Sequence, residues 1–278
     1  MLAMAVVGFL SLYNPVVSER DGGISVFSSS LFSNPAVEPY TVVASSGYIS
    51  GFGYIPFYVA GSMQFKGFDL GAFLKGMPTS MEVYLSSGDL LNPSRTFVGE
   101  FALGVSASKK LSLSFMDLRA GASLAGFFGR AYRYSSFGGG ASLGAVASVA
   151  KLPLRVSVKI GPLGYASSYA GEGGYFVASS ADLGLEYSLV LGALKISPQA
   201  GFSYRFDGQV SIPVGVAVRF SSLPLVVSLS SEILSTEYAY AALSYITPLE
   251  FLGGKPGVSL GGSYSPFGFS STVSVFVK

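Results

Sequence analysis

Two carboxylates, Asp182 and Glu186, are the best candidates for acid–base chemistry in this chain. They lie in DLGLEYSLVL (182–191), where large apolar residues alternate with charged or small residues. An alternation with a period of two is typical of a β-strand, and it puts both carboxylates on one face. Their spacing along a strand is about 13 Å, which is too wide for a shared acid–base pair. We therefore expect a structural role, in which each carboxylate pairs with a cation on the next strand, such as Lys195 or Arg205.

The residue types that are missing exclude most other site chemistry. The chain has no histidine and no cysteine, so a Ser-His-Asp hydrolase, a histidine or thiolate metal site and a disulfide cannot form. The segment GGGASLG (138–144) is similar to a phosphate-binding loop, but no Lys-Ser or Lys-Thr pair follows it. We predict that the protein is not an enzyme and holds no metal or cofactor. The net charge of +2, with no basic cluster longer than Lys109-Lys110, indicates no nucleic-acid partner.

The charged residues of the alternating segments share a face with Ser, Gly, Ala or Gln. In LRVSVKI (154–160), for example, Arg155, Ser157 and Lys159 lie opposite an apolar face. A Lys or Arg that faces lipid near the middle of a membrane costs about 2–4 kcal/mol, so the small polar face must look away from lipid. We predict that these charged residues face an enclosed lumen: Glu100, Arg155, Lys159, Asp182, Glu186, Lys195, Arg205 and Arg219.

The composition indicates a membrane protein that crosses lipid with strands. The chain is 50% hydrophobic and only 12% charged, with a mean hydropathy of +0.53, whereas a soluble domain carries about twice that charge. A membrane helix needs about 20 apolar residues, and the longest apolar run is only Leu2–Leu10, with Gly8 inside it. Since lipid cannot satisfy an open sheet edge, we predict an all-β, closed antiparallel transmembrane β-barrel. Its expected location is the outer membrane of a two-membrane bacterium, with outer-membrane lipids around it.

Turn signals divide the alternating region into fourteen predicted strands. The signals include Gly76-Met77-Pro78, Lys109-Lys110 and Gly161-Pro162. A phase change between Phe115 and Leu118 predicts a bulge, and Pro198 and Pro213 are expected at rims or irregularities because they lack a donor. Merging residues 68–86 with their neighbour gives twelve strands as the alternative. The predicted strands are 54–65, 68–75, 79–86, 95–108, 111–128, 137–149, 153–161, 175–191, 194–206, 209–221, 224–233, 237–247, 256–264 and 268–277.

The N-terminal region does not fit a lipid-spanning strand. Residues 1–13 are similar to the apolar core of a signal peptide, with a buried first strand as the alternative. We therefore divide the chain into residues 1–13 (a signal-peptide remnant or first buried segment), 14–52 (an N-terminal hatch or plug) and 53–278 (the barrel).

Two motifs in this region resemble the PorV/PorQ-like outer-membrane proteins, which are related to the long-chain fatty-acid transporter barrels. Those families begin with a Gly-rich stretch followed by an Asn-Pro-Ala motif. Residues 21–23 (Asp-Gly-Gly) and 31–36 (LFSNPA) have this arrangement, although Val37 stands where the family commonly has glycine. The resemblance implies fourteen strands around a hatch in the lumen, with Asn34, Pro35 and Ala36 in that hatch. Taken without the resemblance, Asn34-Pro35 is typical of an ordinary turn.

Two functions remain open from the sequence. The first is an outer-membrane channel or transporter, plugged by its N-terminus, that passes small solutes; a hydrophobic small molecule is one candidate substrate. The second is a structural barrel that binds an envelope or secreted protein without transporting solute. The barrel architecture and the hatch-like segment support the first function. The inward face is rich in Ser, Gly and Ala with few charges, unlike the dense charge rings of ion-selective pores.

Overall fold

The computed structural model describes residues 34–50, 53–83, 94–131, 134–167, 173–177, 179–206, 208–233, 238–265 and 268–278. The predicted signal remnant and residues 14–33 of the predicted hatch lie outside these residues. No helix in the described parts of the chain is long and apolar enough to cross a membrane. The strands are β1 (Val42–Ile49), β2 (Phe57–Phe65), β3 (Phe68–Val83), β4 (Ser94–Ser112), β5 (Met116–Ala131), β6 (Tyr134–Val149), β7 (Leu154–Ser167), β8 (Gly174–Phe176), β9 (Ser180–Tyr187), β10 (Leu189–Leu191), β11 (Leu194–Arg205), β12 (Val210–Phe220), β13 (Leu225–Ile233), β14 (Tyr238–Ile246), β15 (Pro256–Ser265) and β16 (Gly268–Val277).

These strands form one closed antiparallel barrel. The first and last strands pair from Val42↔Val277 to Ile49↔Ser270, which closes the sheet. The short segments β8, β9 and β10 follow one another between β7 and β11 and make a single crossing. Sixteen segments therefore give fourteen crossings, which confirms the predicted fold. We refer to the end of the barrel at which β16 ends as the C-terminal rim and to the other end as the far rim.

The wall begins earlier than predicted, and one predicted turn is absent from the described strands. Residues 42–49, which we assigned to the hatch, form β1, so the boundary at residue 52 is wrong. The predicted strands 68–75 and 79–86 are one strand, β3, and Pro78 leaves its ladder to β4 intact. The Pro78 carbonyl accepts the Ile55 N–H at 3.0 Å, beyond the start of β2, and the missing proline N–H faces that same side. One added strand and one merged strand preserve the count of fourteen.

The hairpin after β4 turns later than predicted. Lys109 and Lys110 lie within β4, and the turn occupies residues 113–115. The phase change that predicted a bulge marks this turn, so the bulge is wrong. Both lysines extend the strand and have partners at the C-terminal rim. Lys109 Nζ lies 4.9 Å from the centroid of the Phe68 ring, and Lys110 forms a 2.9 Å ion pair with Asp117.

Three prolines interrupt the ladders on one side of the barrel. The pairing with β7 pauses at Pro162, between β8 and β9, and the pairing with β11 pauses at Pro198, between β9 and β10. The pairing of β11 with β12 pauses at Pro213. Because proline has no N–H to donate, these pauses are expected, and the prediction for Pro198 and Pro213 is confirmed. The turn predicted at Gly161-Pro162 is wrong, because both residues lie within β7 near a shift of register with β6.

The two faces of the wall have opposite polarity to those of a soluble protein. Leu103, Leu124 and Leu143 point outward and are 58–66% exposed, whereas Ser123 and Ser142 point inward and are 4–5% exposed. Without lipid around it, the apolar outer surface would be exposed to water, at a free-energy cost of about 25 cal/mol for every Å². The outer face of this barrel therefore suits hydrocarbon, and its inner face suits water or polar groups.

An aromatic girdle surrounds part of the outer face near the far rim. The rings of Phe57, Phe101, Phe128 and Phe137 come from β2, β4, β5 and β6, and successive centroids lie 6.1, 6.1 and 5.1 Å apart. Gly76 of β3 leaves room for this row, because a Cβ there would lie only 2.5 Å from the Phe57 ring and 2.7 Å from the Phe101 ring. Aromatic girdles are typical of the membrane interfaces of outer-membrane barrels.

Lysines that lie over aromatic rings mark the opposite boundary of the apolar band. Lys66 Nζ lies 5.3 Å from the centroid of the Phe65 ring, beside the corresponding pair of Lys109 and Phe68. Lysines at such a level place their charge at the membrane surface. From Phe101 to Lys109 the strand covers about 27 Å, or about 20 Å along the membrane normal at a tilt of about 40°. This height is close to that of the apolar band of outer-membrane barrels, which agrees with the predicted location.

Candidate functional site

Serine hydroxyls line much of the barrel interior and bond to one another between strands. Ser45 Oγ donates to Ser274 Oγ at 2.7 Å, and Ser244 Oγ donates to Ser259 Oγ at 2.9 Å. Each pair is directly opposite in its ladder. These hydroxyls satisfy one another in the wall, which gives the lumen a polar but uncharged surface on β14, β15, β16 and β1.

The predicted carboxylates lie on the inner face of β9 and pair with the preceding strand. Lys159 Nζ lies 3.3 Å from Asp182 Oδ2, and Arg155 Nη1 lies 3.7 Å from Glu186 Oε2. The register puts each cation directly opposite its carboxylate. Asp182 also accepts hydrogen bonds from Ser180 and Ser203, and Glu186 accepts one from Gln199 at 2.9 Å.

The expectation that Lys195 or Arg205 would pair with these carboxylates is therefore corrected. On the next strand, β11, Gln199 lies opposite Glu186 and Ser203 lies opposite Asp182. Arg205 donates to Gln209 Oε1 at 3.0 Å, near the far rim. Lys195 lies at the other end of β11, directly opposite Arg219 of β12.

A second charged group on the inner face combines one predicted residue with one that the sequence analysis missed. Glu100 of β4 and Lys75 of β3 are each 3% exposed. Lys75 is close enough to Glu100 and to Lys159 of the β7 wall for their charges to interact. Burial, together with the charge of Glu100, raises the pKa of Tyr54 in the loop between β1 and β2. Across the described residues, no cluster of three acidic residues is placed to bind a metal ion.

Lys75 was missed because we ended its strand there. Its inward neighbours on β3, Phe73 and Met77, are also buried. A lysine between two large apolar residues does not follow the pattern of charges accompanied by Ser, Gly or Ala. The alternation of Lys75 with outward Leu74 was the available signal.

Asn34, Pro35 and Ala36 lie against the inner face of β5, β6 and β7. Asn34 Nδ2 donates to Ser157 Oγ at 2.9 Å, and Asn34 Oδ1 accepts the Ala36 N–H at 3.0 Å. Two wall glycines provide the space: a Cβ on Gly144 would lie 2.1 Å from Asn34 Oδ1, and a Cβ on Gly121 would lie 2.4 Å from the Pro35 carbonyl oxygen. The motif is also a turn, because the Asn34 carbonyl accepts the Val37 N–H at 3.2 Å.

The chain then reaches the other side of the lumen before β1 begins. The Tyr40 ring lies 5.0 Å from that of Phe276, and both belong to a buried apolar cluster with Val43, Tyr58 and Phe73. The Tyr40 carbonyl accepts a 2.6 Å hydrogen bond from Ser62. Residues 34–41, which we name the crossing segment, therefore connect the β5–β7 wall with the wall formed by β16, β1 and β2.

Two cavities lie in the lumen towards the C-terminal rim, and the crossing segment lines the larger of them. The larger has a volume of about 300 Å³ and lies between residues 36–38 and the inner face of β4 to β7. The smaller has a volume of about 200 Å³ and lies against β7, β9, β11, β12 and β13. Arg155 lines both. Most of the charged residues at this end of the lumen face one cavity or the other.

Comparison with solved structures places the fold among outer-membrane barrels. The outer membrane protein Omp33 of Acinetobacter baumannii aligns with a TM-score of 0.51 and 12% identity, over 86% of this chain and 98% of that one. OprB of Pseudomonas putida aligns with a TM-score of 0.42 and 10% identity, over 86% and 91% of the two chains. The KdgM porin aligns with a TM-score of 0.40 and 14% identity, over 85% and 98%. No protein-family model and no curated protein sequence matches the chain.

Proposed function

We propose that this chain is an outer-membrane channel for small solutes whose passage is closed by the crossing segment. The observation that carries the proposal is the route of residues 34–41, from the Asn34–Ser157 hydrogen bond on one wall to the Tyr40–Phe276 contact on the other. A barrel of fourteen strands has a wide interior, and side chains alone fill it less completely than they fill an eight-stranded barrel. The crossing segment fills part of the interior that the side chains of the wall leave open.

The contacts of the crossing segment suit a closure that can be displaced. Its first half touches the small wall residues Gly121, Gly144 and Ser157, and Ala36 and Val37 pack against Val146. A typical hydrogen bond contributes only about 0.5–1.5 kcal/mol net, so a few such bonds fix the segment without making its release prohibitive. The second half is held by an apolar cluster and by the start of β1. We infer that release starts at Asn34 and leaves Tyr40 in place.

The interior offers a route with one apolar and one polar side. Tyr58, Phe73 and Phe276 are each no more than 2% exposed on the wall near Tyr40, whereas β7, β9 and β11 carry charges and amides. We propose more specifically that the solutes are hydrophobic. This apolar wall and the PorV/PorQ-like motif support that choice. Release of residues 34–37 alone would open the passage beside the β5–β7 wall, and passage of such solutes along the apolar wall would also require Tyr40 to leave the cluster.

Partner binding is the second candidate, and one feature of the C-terminal rim favours it. The loop between β14 and β15 exposes Leu249, Phe251 and Leu252, each by 58–75%. Exposed apolar side chains grouped on a loop are typical of contact with another protein or with a membrane surface. An envelope or secreted protein bound at this rim would contact this loop.

Channel recording with a reversible lock tests the proposed closure. The chain has no cysteine, so Ala36→Cys combined with Val146→Cys introduces one engineered pair, at two residues that belong to the same buried cluster. We expect the oxidised double variant to remain closed in a planar bilayer, and we expect gating to return when a reductant is added. Deletion of residues 14–39 is expected to leave a permanently open pore.

Each single-cysteine variant is the matched control, because it carries the substitution without the lock. Equal conductance of the oxidised variant, the reduced variant and the deletion variant would contradict closure by the crossing segment. A barrel that folds but never conducts, even after the deletion, would instead favour the partner-binding candidate.

A further inference from the structure

Two lysines and two phenylalanines form one group on the outer face of the barrel, where the apolar band ends at the C-terminal rim. Phe65 of β2 lies directly opposite Phe68 of β3, and Phe68 lies directly opposite Lys109 of β4. Lys66 belongs to the two-residue turn between β2 and β3. The two lysines lie over the two rings, with Nζ 5.3 Å from the Phe65 centroid and 4.9 Å from the Phe68 centroid. Two positive charges therefore lie close together beside exposed aromatic surface.

Local structure does not account for a lysine at either position. The outward residues of β4 before Lys109 are Leu103, Val105 and Ala107, so a charge interrupts an apolar series. Lys66 has a φ of 49°, a left-handed conformation that glycine and asparagine adopt with less strain than lysine does. Asn-Gly is also the preferred sequence of a two-residue hairpin. Apolar and turn-forming residues would therefore build the same strands and turn without these charges.

The acidic residues of the neighbouring strand ends are paired with other cations. Residues 61–70 and 105–120 contain two of them, Asp69 and Asp117. Asp69 pairs with Arg119, and Asp117 forms a 2.9 Å ion pair with Lys110. Lys110, Asp117 and Arg119 line the 300 Å³ cavity inside the barrel. Because successive residues of a strand point to opposite faces, Lys109 points away from that cavity. The positive charge on the outer face is therefore not balanced by a carboxylate from these strand ends.

We propose that Phe65, Lys66, Phe68 and Lys109 bind the head group of an anionic phospholipid. Lysine binds phosphate as a compact point charge, and the two ammonium groups can share the oxygens of one phosphate. The two rings lie where the head group of a lipid meets its acyl chains, as aromatic side chains do at membrane interfaces. The site is on the outer face, so the inference does not depend on the proposed channel.

The wall next to this group offers apolar surface for the acyl chains of the same lipid. Two residues further towards the middle of the membrane, Met63, Leu70 and Ala107 lie directly opposite one another on β2, β3 and β4. All three are apolar, and Met63 and Leu70 are exposed on the outer face. The turns at 66–67 and 113–115 are short, so the lysines lie at the level of the head groups. The head group and the acyl chains of one phospholipid therefore meet complementary surface in a single orientation.

Fluorescence quenching by brominated lipids reports which lipid lies beside this group. The chain has no tryptophan, so Phe68→Trp introduces a single reporter. The full chain is placed in vesicles of phosphatidylcholine and phosphatidylglycerol at low salt, with one of the two lipids brominated at a time. We expect this reporter to prefer phosphatidylglycerol by about tenfold or more, because each lysine beside an anionic lipid contributes about fivefold. Adding Lys66→Gln/Lys109→Gln should bring the preference to about one, and high salt should reduce it.

A second reporter and a second pair of lysines are the matched controls. Phe269→Trp puts the reporter on β16 near the far rim, where β16 and its neighbours β15 and β1 carry no lysine or arginine, and we expect equal quenching by the two lipids there. Lys151→Gln/Lys255→Gln removes two exposed lysines from other turns of the C-terminal rim and should leave the preference at the Phe68→Trp reporter unchanged. The site would be overturned by equal quenching at the Phe68→Trp reporter, by the same preference at both reporters, or by equal loss in both lysine double variants.

Discussion

Replacing Gly144 with alanine is expected to release residues 34–37 from the inner wall. A Cβ at this position would lie 2.1 Å from Asn34 Oδ1 and 3.3 Å from Ala36 Cβ. The carboxamide must move by about 1 Å or more to reach ordinary van der Waals distance. This movement breaks two hydrogen bonds, from Asn34 Nδ2 to Ser157 Oγ and from the Ala36 N–H to Asn34 Oδ1.

The lost contacts give the expected magnitude. Two hydrogen bonds of about 0.5–1.5 kcal/mol each amount to about 1–3 kcal/mol, which raises the population of the released segment by about 5–150-fold. Hydrogen exchange at the amides of Ala36 and Val37 measures this population directly, because both N–H groups are bonded to Asn34. Exchange at these amides should accelerate by the same factor, while exchange in the β5–β6 ladder should not change.

The control for this experiment is Gly126→Ala on the same hairpin. A Cβ at Gly126 would have its nearest neighbours at 3.9 and 4.0 Å, which is ordinary contact. The variant therefore tests the general cost of a Gly-to-Ala change in β5. If the Ala36 amide exchanges at the same rate in the Gly144→Ala and Gly126→Ala variants, the contact between Asn34 and Gly144 does not hold the segment.

Two further substitutions test the wall. Val105→Arg, which puts a charge on the outer face midway between Phe101 and Lys109, should cost about 2–4 kcal/mol of unfolding free energy in vesicles, whereas Leu111→Arg, beyond Lys109, should cost about 0–1 kcal/mol; equal costs would contradict the placement of the bilayer. Lys159→Met removes the cation beside buried Asp182 and should destabilise the barrel by about 3–5 kcal/mol in urea titrations. Adding Asp182→Asn should restore most of that loss, and a double variant as unstable as Lys159→Met would rule out an uncompensated charge as the cause.

Which face of the wall points to lipid was predictable, because the opposite orientation would place several charged side chains in hydrocarbon at a prohibitive free-energy cost. Arg155 and Lys159 alternate with valines, and lipid excludes the charged face. The ion-pair partners were not predictable in the same way. Period-two alternation tells which face a residue occupies, but it does not tell which residue of the neighbouring strand lies opposite. Glu186 was therefore expected beside a cation of β11, whereas the register puts it beside Arg155 of β7.

Prolines were misread for a related reason. Pro78 and Pro162 each follow a glycine closely, which is a turn signal in a sequence. In the barrel both remain within strands. At Pro78 the ladder to β4 continues and only the side that the proline nitrogen faces is unpaired. At Pro162 the pairing with β6 shifts register and the pairing on the other side passes from β9 to β8. Which ladder a proline interrupts depends on the neighbours, so the same local signal is compatible with a turn and with a split strand such as β8–β10.

The small residues of β5, β6 and β7 show why the interior was harder to predict than the wall. Gly121, Gly144 and Ser157 are small residues at inward positions of their strands, as are many of the residues that face the lumen. Nothing in the sequences of their own strands therefore distinguishes these three from the rest. Their significance comes from Asn34, which occupies the space that they leave. The wall itself would tolerate a larger residue at Gly144, because inward positions of the barrel carry polar as well as small side chains. The constraint on that position therefore comes from the crossing segment, and the substitution Gly144→Ala should alter the segment while leaving the barrel intact.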